Sequence, residues 1–168
     1  VREALFDVLG PEVVGAAFAD LFAGSGAVGL EAWSRGADRV ALVEGDRKAV
    51  EALRRVVSRL GAQGVRVVRA NLPAQLGRPQ ECAPGSFDIV FADPPYRFGR
   101  YRRLLEAASE LLAPSGVLVL EHADSEEVPH EAAGVLLVSS RRYGEARLSF
   151  YRRGLPSARE ATPSDSRK

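Results

Sequence analysis

Two stretches of the chain carry residues whose types and spacing could do chemistry. The first is Phe87 to Tyr96, F-D-I-V-F-A-D-P-P-Y. Phe87, Ile89, Val90, Phe91 and Ala92 form a short apolar run suited to a strand buried on both faces of a parallel sheet. Pro94 and Pro95 end that run, because neither has a backbone N–H to extend a ladder, and Pro94 pushes Asp93 toward an extended conformation. Asp93 is thereby displayed at the carboxyl end of a strand, where open α/β sheets bind their ligands. A carboxylate, a rigid kink with unpaired carbonyls and the flat ring of Tyr96 could together grip a planar amine. A proline-rich strand exit whose Asp caps the next turn would use the same residues, so the rest of the chain must decide.

The second stretch is A-G-S-G-A-V-G, in which Gly24, Gly26 and Gly29 make G-x-G-x-x-G. It follows an apolar strand expected over Ala16 to Leu21 and opens a helix expected over Ala27 to Arg35, the context that gives this motif weight. Glycine permits the tight turn and close backbone approach to a ligand, and the helix behind it starts with unpaired N–H groups. Glu44 lies 20 residues after Gly24, at the end of a second expected strand. An acidic side chain there can accept hydrogen bonds from the ribose hydroxyls of an adenosine ligand. Glu44 and Asp46 would equally complement the dipole of the next helix, Arg47 to Leu60. Asn71 ends a third expected strand, Val65 to Asn71, where an adenine edge would lie, and it also suits a turn.

These residues must be held by an ordered series of elements. Val1 to Leu9 puts Leu5, Phe6 and Leu9 on one side at helical spacing, with Gly10 and Pro11 as a stop signal. Leu72 to Ser86 is a surface connection with room for one helical turn. After Tyr96 a helix is expected over Arg100 to Leu112, with Leu104, Leu105, Ala108, Leu111 and Leu112 toward the sheet. Arg97, Arg100, Arg102 and Arg103 crowd its start, a basic rim that suits a phosphate backbone, although a solvated helix start would look the same. Gly116 to His122 is a fifth strand, Asp124 to Glu131 an acidic loop, and Val135 to Ser140 pairs with Ala146 to Arg152 as an antiparallel hairpin. Five strands alternating with helices and a closing hairpin predict an α/β, doubly wound, mostly parallel seven-stranded sheet with its ligand loops on one edge. The expected domain spans 1–153, and 154–168, rich in Ser, Pro, Arg and Glu, reads as a disordered tail.

Composition sets further bounds. The 168 residues, 46% of them hydrophobic, can build one substantial core. The net charge of +1 points to no particular partner, but Lys48 and Lys168 are the only lysines among 23 basic residues, and the remainder is arginine, which suits phosphate forks and base stacking. GC-rich coding would produce the same excess. Cys82 is the single cysteine, which rules out an internal disulfide and fits a cytoplasmic protein. His122 and His130 have no partners at ligand spacing, so no metal is expected, and each reads as a surface or supporting histidine. No run is long and apolar enough for a membrane span. The chain contains no Met and opens inside a helical pattern, so it is expected to lack its true N-terminus.

Taken together, the residues resemble the class I S-adenosylmethionine-dependent methyltransferases, and within them the RsmD-type bacterial enzymes that modify guanine N2 in small-subunit (16S) ribosomal RNA. The resemblance is carried by V-R-E-A-L-F (Val1 to Phe6), D-L-F-A-G-S-G-A-V-G-L-E-A (Asp20 to Ala32), L-V-E-G-D (Leu42 to Asp46), Phe87 to Tyr96, and R-R-Y-G-E-A-R-L-S-F-Y (Arg141 to Tyr151). It implies that Asp20, Phe22, Gly24, Ser25 and Gly26 surround the methionine part of S-adenosylmethionine, with Asp93 completing the set. Glu44 would hold the ribose, and Asn71 with Leu72 the adenine. Asp93, Pro94 and Tyr96 would hold the target base and perform the transfer, while Tyr96, Arg97, Arg100, Arg102 and Arg103 would meet the RNA. The implied partner is 16S rRNA or the small ribosomal subunit, met by a monomer. The family also carries a basic N-terminal arm upstream of the residues present here. Related readings are the same transfer to adenine N6 or to a protein glutamine amide, although many adenine-methylating enzymes carry Asn where Asp93 stands. An NAD-dependent oxidoreductase would share the glycine spacing and Glu44 but leaves D-P-P-Y unexplained and lacks chain for a substrate domain. A cofactor-binding module without catalysis is the third alternative.

Overall fold

A computed structural model of the chain describes residues 1–76 and 80–154. The expected tail therefore falls, apart from Gly154, outside the described residues. Helix α1 (Arg2–Leu9) buries Leu5, Phe6 and Leu9, and a 3₁₀ turn over Gly10–Val13 leads into β1 (Ala17–Leu21). There follow α2 (Ala27–Ser34), β2 (Arg39–Glu44), α3 (Arg47–Leu60) and β3 (Val65–Arg69). Then come β4 (Phe87–Ala92), α4 (Tyr101–Leu111) and β5 (Leu112–Ala123), and finally β6 (Glu131–Ala132), β7 (Val135–Tyr143) and β8 (Ala146–Arg153). A second 3₁₀ turn covers Gln80–Cys82, within the connection expected to hold one helical turn.

The strands lie in the order β3-β2-β1-β4-β5-β8-β7-β6, parallel from β3 to β5 and antiparallel beyond. The chain winds outward from β1 through β2 to β3, then returns to the other side of β1 to lay down β4 and β5. The winding direction thus reverses between β1 and β4, and a crevice opens there at the carboxyl ends of the strands. Side chains close the core on both faces. Leu5, Phe6, Phe18, Leu42 and Leu53 fill the side covered by α1, α2 and α3, while Leu21, Val90, Leu104, Leu105 and Leu118 fill the side covered by α4.

The sheet has eight strands, where seven were expected. The addition is β6, two residues long, which pairs with Val135 and Leu136 of β7 across a turn at Ala133 and Gly134, both of positive φ. Ala-Gly is a weak hairpin signal beside Asn-Gly or Asp-Gly, and two paired residues leave no period to detect. The acidic stretch before it contains no helix, but a single turn at Asp124 and Ser125 is closed by Glu126 N–H donating to the Ala123 carbonyl at 3.0 Å. Strand β5 begins at Leu112 rather than Gly116, because the chain around Pro114 and Ser115 bulges out of register with β4 instead of forming a free loop. Strand β3 stops at Arg69, so Asn71 lies just past the strand.

Candidate active site

The glycine loop is built by the packing around it. Gly24 and Gly26 have φ of 56° and 78°, which glycine adopts without penalty. A Cβ on Gly26 would stand 2.7 Å from Leu53 Cδ2, and one on Gly29 would stand 2.2 Å from Leu42 Cδ2 and 3.2 Å from Asp20 Cβ. Gly29 is therefore what lets α2 lie against β1 and β2. Above Gly24 the space is open, the nearest atom to a Cβ being the Phe22 carbonyl oxygen at 3.9 Å. Phe22 itself holds a φ of 60°, unusual for a residue with a side chain, at the point where the strand turns into the loop.

Four carboxyl side chains lie along this edge. Glu44 ties two loops together: its Oε2 accepts from Gly24 N–H at 2.9 Å, and its Oε1 accepts from the N–H groups of Gly45 and Asp46 at 2.8 and 3.0 Å. Asp46 caps α3 by accepting from Ala49 N–H, whereas Glu44 bonds the backbone of the two loops. Asp20 is only 2% exposed beneath the loop, where its Oδ2 accepts from Gly29 N–H at 2.9 Å. Burial, with smaller contributions from the charges of Asp93 and Glu44, pushes its carboxyl up to about 8. Asp93 follows β4, its N–H donating to the Leu21 carbonyl across the β1/β4 boundary, and burial raises its pKa as well. Asn71 is exposed beside Gly45, where a Cβ on that glycine would come within 3.4 Å of its side-chain oxygen; Leu72 beside it is half-buried.

Asp93, Pro94, Tyr96, Tyr101, Glu121 and His122 are among the residues that line a cleft of about 270 Å³ at the ends of β4 and β5. Tyr96 is 71% exposed, with its ring beneath the Arg97 guanidinium at 5.4 Å. Phe22, Phe98, Tyr101 and His122 form a chain of edge-on and tilted rings from the glycine loop to the cleft. His130 is exposed, whereas His122 is 6% exposed and so is not a surface histidine. Its Nδ1 must donate to the Ala123 carbonyl, which leaves Nε2 to accept from the Ser149 hydroxyl, and burial lowers its pKa, keeping it neutral. The four arginines at the start of α4 diverge. Arg97 and Arg100 stack on Tyr96 and Phe98 at the rim, Arg102 reaches the Glu131 carbonyl, and Arg103 lies beside Pro73, Leu76 and Glu106 away from the cleft. Glu121, Tyr101 and Glu126, which accepts from the Tyr101 hydroxyl, were not singled out from sequence. The signal for Glu121 was present: a polar residue ending an apolar strand run, as Glu44 and Asp93 do. Among the described residues no group of three or more His, Cys, Asp or Glu is placed to hold a metal ion, and no helix is long and apolar enough to cross a membrane.

A glycine loop after β1, an acidic residue ending β2, and a D-P-P-Y turn after β4, all on the carboxyl edge of such a sheet, define the Rossmann-like fold of the class I methyltransferases. A Mesorhizobium loti protein described as an S-adenosylmethionine-dependent methyltransferase shares that fold, with a TM-score of 0.71 at 16% identity over 91% of this chain and 98% of that one. The chain belongs to the family described as Conserved hypothetical protein 95, whose model matches residues 1–152. It is 30% identical over 156 residues to the putative rRNA methyltransferase YlbH of Bacillus subtilis, covering 91% of this chain and 84% of that protein. It is 44% identical over 124 residues to the ribosomal RNA small subunit methyltransferase D of Escherichia coli K12, covering 72% of this chain and 57% of that protein. The solved structure of the putative methyltransferase yhhF from Escherichia coli matches with a TM-score of 0.77 and 33% identity, over 90% of this chain and 83% of that one.

Proposed function

We propose that residues 1–153 form a catalytic domain that transfers a methyl group from S-adenosylmethionine to the exocyclic N2 amine of a guanine in bacterial 16S ribosomal RNA, free or in the small subunit. The observation that carries this reading is the adjacency of the two motifs. Leu21 pairs with Ala92, so the glycine loop and Asp93 leave neighbouring parallel strands, about 4.8 Å apart, at the point where the winding reverses. The relatives' names support ribosomal RNA as the substrate class, and the rim arginines suit it. The cytoplasm, where ribosomes are assembled, is the expected setting.

The residues present suit a cationic sulfonium ligand. Glu44 and Asp93 give the loop edge a negative field, and open space lies over Gly24. S-adenosylmethionine, when bound, supplies an electrophilic methyl group. The chain's own residues must then present the acceptor. A guanine N2 lone pair is delocalised into its ring, and acceptors on its two N–H bonds favour the pyramidal, increasingly positive nitrogen of the transition state. Asp93 accepts one N–H and the Pro94 carbonyl the other. As the new N–CH₃ bond forms and the S–CH₃ bond breaks, Asp93 takes the released proton, a task to which its raised pKa is suited. Tyr96 stacks on the base once it has left its helix.

Calorimetry is expected to show S-adenosylmethionine binding with little affinity for NAD, and the reverse preference would overturn the class of reaction. Labelled cofactor offered with small subunits, naked rRNA and DNA should mark a guanine in rRNA. Asp93→Ala should lower transfer by roughly a hundredfold or more, the scale of losing a transition-state contact, while cofactor affinity survives. Unchanged turnover would remove Asp93 from the mechanism.

A further inference from the structure

We infer that Glu121 is a specificity residue: its carboxylate accepts the N1–H of the target base and thereby selects guanine over purines whose N1 is a bare acceptor. The inference rests on the reading above, that Asp93 and Pro94 hold a purine amine. Ala92 pairs with Leu120, so the next residues along the two parallel strands, Asp93 and Glu121, stand side by side, and both line the same cleft with Pro94 and Tyr96. The Glu121 side chain is half-buried and makes no ion pair or hydrogen bond with a described residue, whereas Glu44, Asp46, Asp124 and Glu126 are each engaged. Burial and the neighbouring Asp93 charge push it up to about 7, the mark of a carboxylate that its own protein does not satisfy.

A half-buried acceptor without a protein donor is left to water, and a ligand that displaces that water must bring a donor of its own. Guanine offers three N–H bonds on one edge, two at N2 and one at N1. Asp93, the Pro94 carbonyl and Glu121 supply three acceptors at adjacent strand ends. Adenine, turned to present its N6 amine to Asp93, would bring its N1 lone pair against the Glu121 carboxylate. The same holds for 2-aminopurine, which keeps the N2 amine and lacks the N1 proton. A site built around a hydrogen bond rejects analogues that cannot make it far more strongly than an apolar pocket rejects a change of shape.

The test uses the full chain and small subunits reconstituted with 16S rRNA that carries either guanine or 2-aminopurine at the position the wild-type enzyme methylates. Wild type should prefer guanine by at least about tenfold in kcat/KM. Glu121→Gln keeps the shape but offers an amide N–H to a bare N1, so that preference should collapse or invert, with cofactor affinity by calorimetry unchanged. Glu121→Ala should lose activity on guanine without gaining it on 2-aminopurine. A Glu121→Gln enzyme that is uniformly slower with the wild-type preference intact would overturn the assignment and leave the proposed reaction standing. Failure of the wild-type enzyme to methylate any guanine would instead overturn the reaction itself and this inference with it.

Discussion

In the proposed reaction Asp93 and Glu121 act as ionised acceptors, the stronger form for holding N–H bonds, and both have pKa values raised from the ordinary carboxylate range, Glu121 to about 7. The titratable groups that line the cleft with Glu121 are Asp93, Tyr96, Tyr101, His122, Glu126 and Glu145, and the charge of Asp93 raises its pKa further. Methyl transfer should therefore fall as pH drops through about 7, and Glu121→Gln should move that acid limb to lower pH; kcat/KM measured from pH 5.5 to 9 checks it. Asp20 makes a separate prediction about stability. Its pKa is raised on folding from 3.8 to about 8, so the folded state binds the extra proton, and the stability this contributes is complete below pH 4 and lost as pH rises through 8. Asp20→Asn keeps an acceptor for Gly29 N–H without the charge. At pH 9 it should be more stable than wild type, and the difference should shrink toward pH 4, as denaturant titrations would show. At this scale Asp93 and Glu44 could be read from residue type and position, because a polar side chain ending an apolar strand announces itself. The burial of Asp20 and His122 could not, since it depends on which elements cover them.

Among the elements, α2 and α3 are set by contacts that single residues control. Gly29→Ala would drive a methyl group into fully buried Leu42 and against Asp20, and overpacking of this kind costs about 1–3 kcal/mol. The same variant should weaken cofactor binding, because α2 carries the glycine loop; thermal denaturation and calorimetry on one preparation would separate the two effects. Asp46→Ala removes the α3 cap and should cost about 1 kcal/mol with little change in transfer rate, since Glu44 keeps its own contacts. Helix boundaries were legible because caps and periodicity are local: Arg47–Leu60 is where a capping Asp and the glycine that follows place it. The two-residue strand β6 and the bulged start of β5 were not, because both exist through pairing with strands distant in sequence.

Across the whole molecule, the arginines at the start of α4 face different ways, and RNA binding should reflect it. Arg97→Ala with Arg100→Ala should weaken rRNA binding and flatten its dependence on salt, each lost phosphate contact reducing the slope of log K against log salt by about 0.7 to 0.9. Arg103→Ala, on the side away from the cleft, should leave both nearly unchanged; filter binding across a salt series would show the contrast.

The sequence by itself determined the order of the elements apart from β6, the glycine loop, the acidic ends of β2 and β4 and the D-P-P-Y turn, because propensity, capping and backbone stiffness act over a few residues. Only the tertiary structure decided that β1 and β4 are neighbours with the winding reversing between them, and that Glu121 stands beside Asp93 in one cleft. Strand order is settled by which apolar faces bury one another, and that competition is played out between segments far apart in the chain.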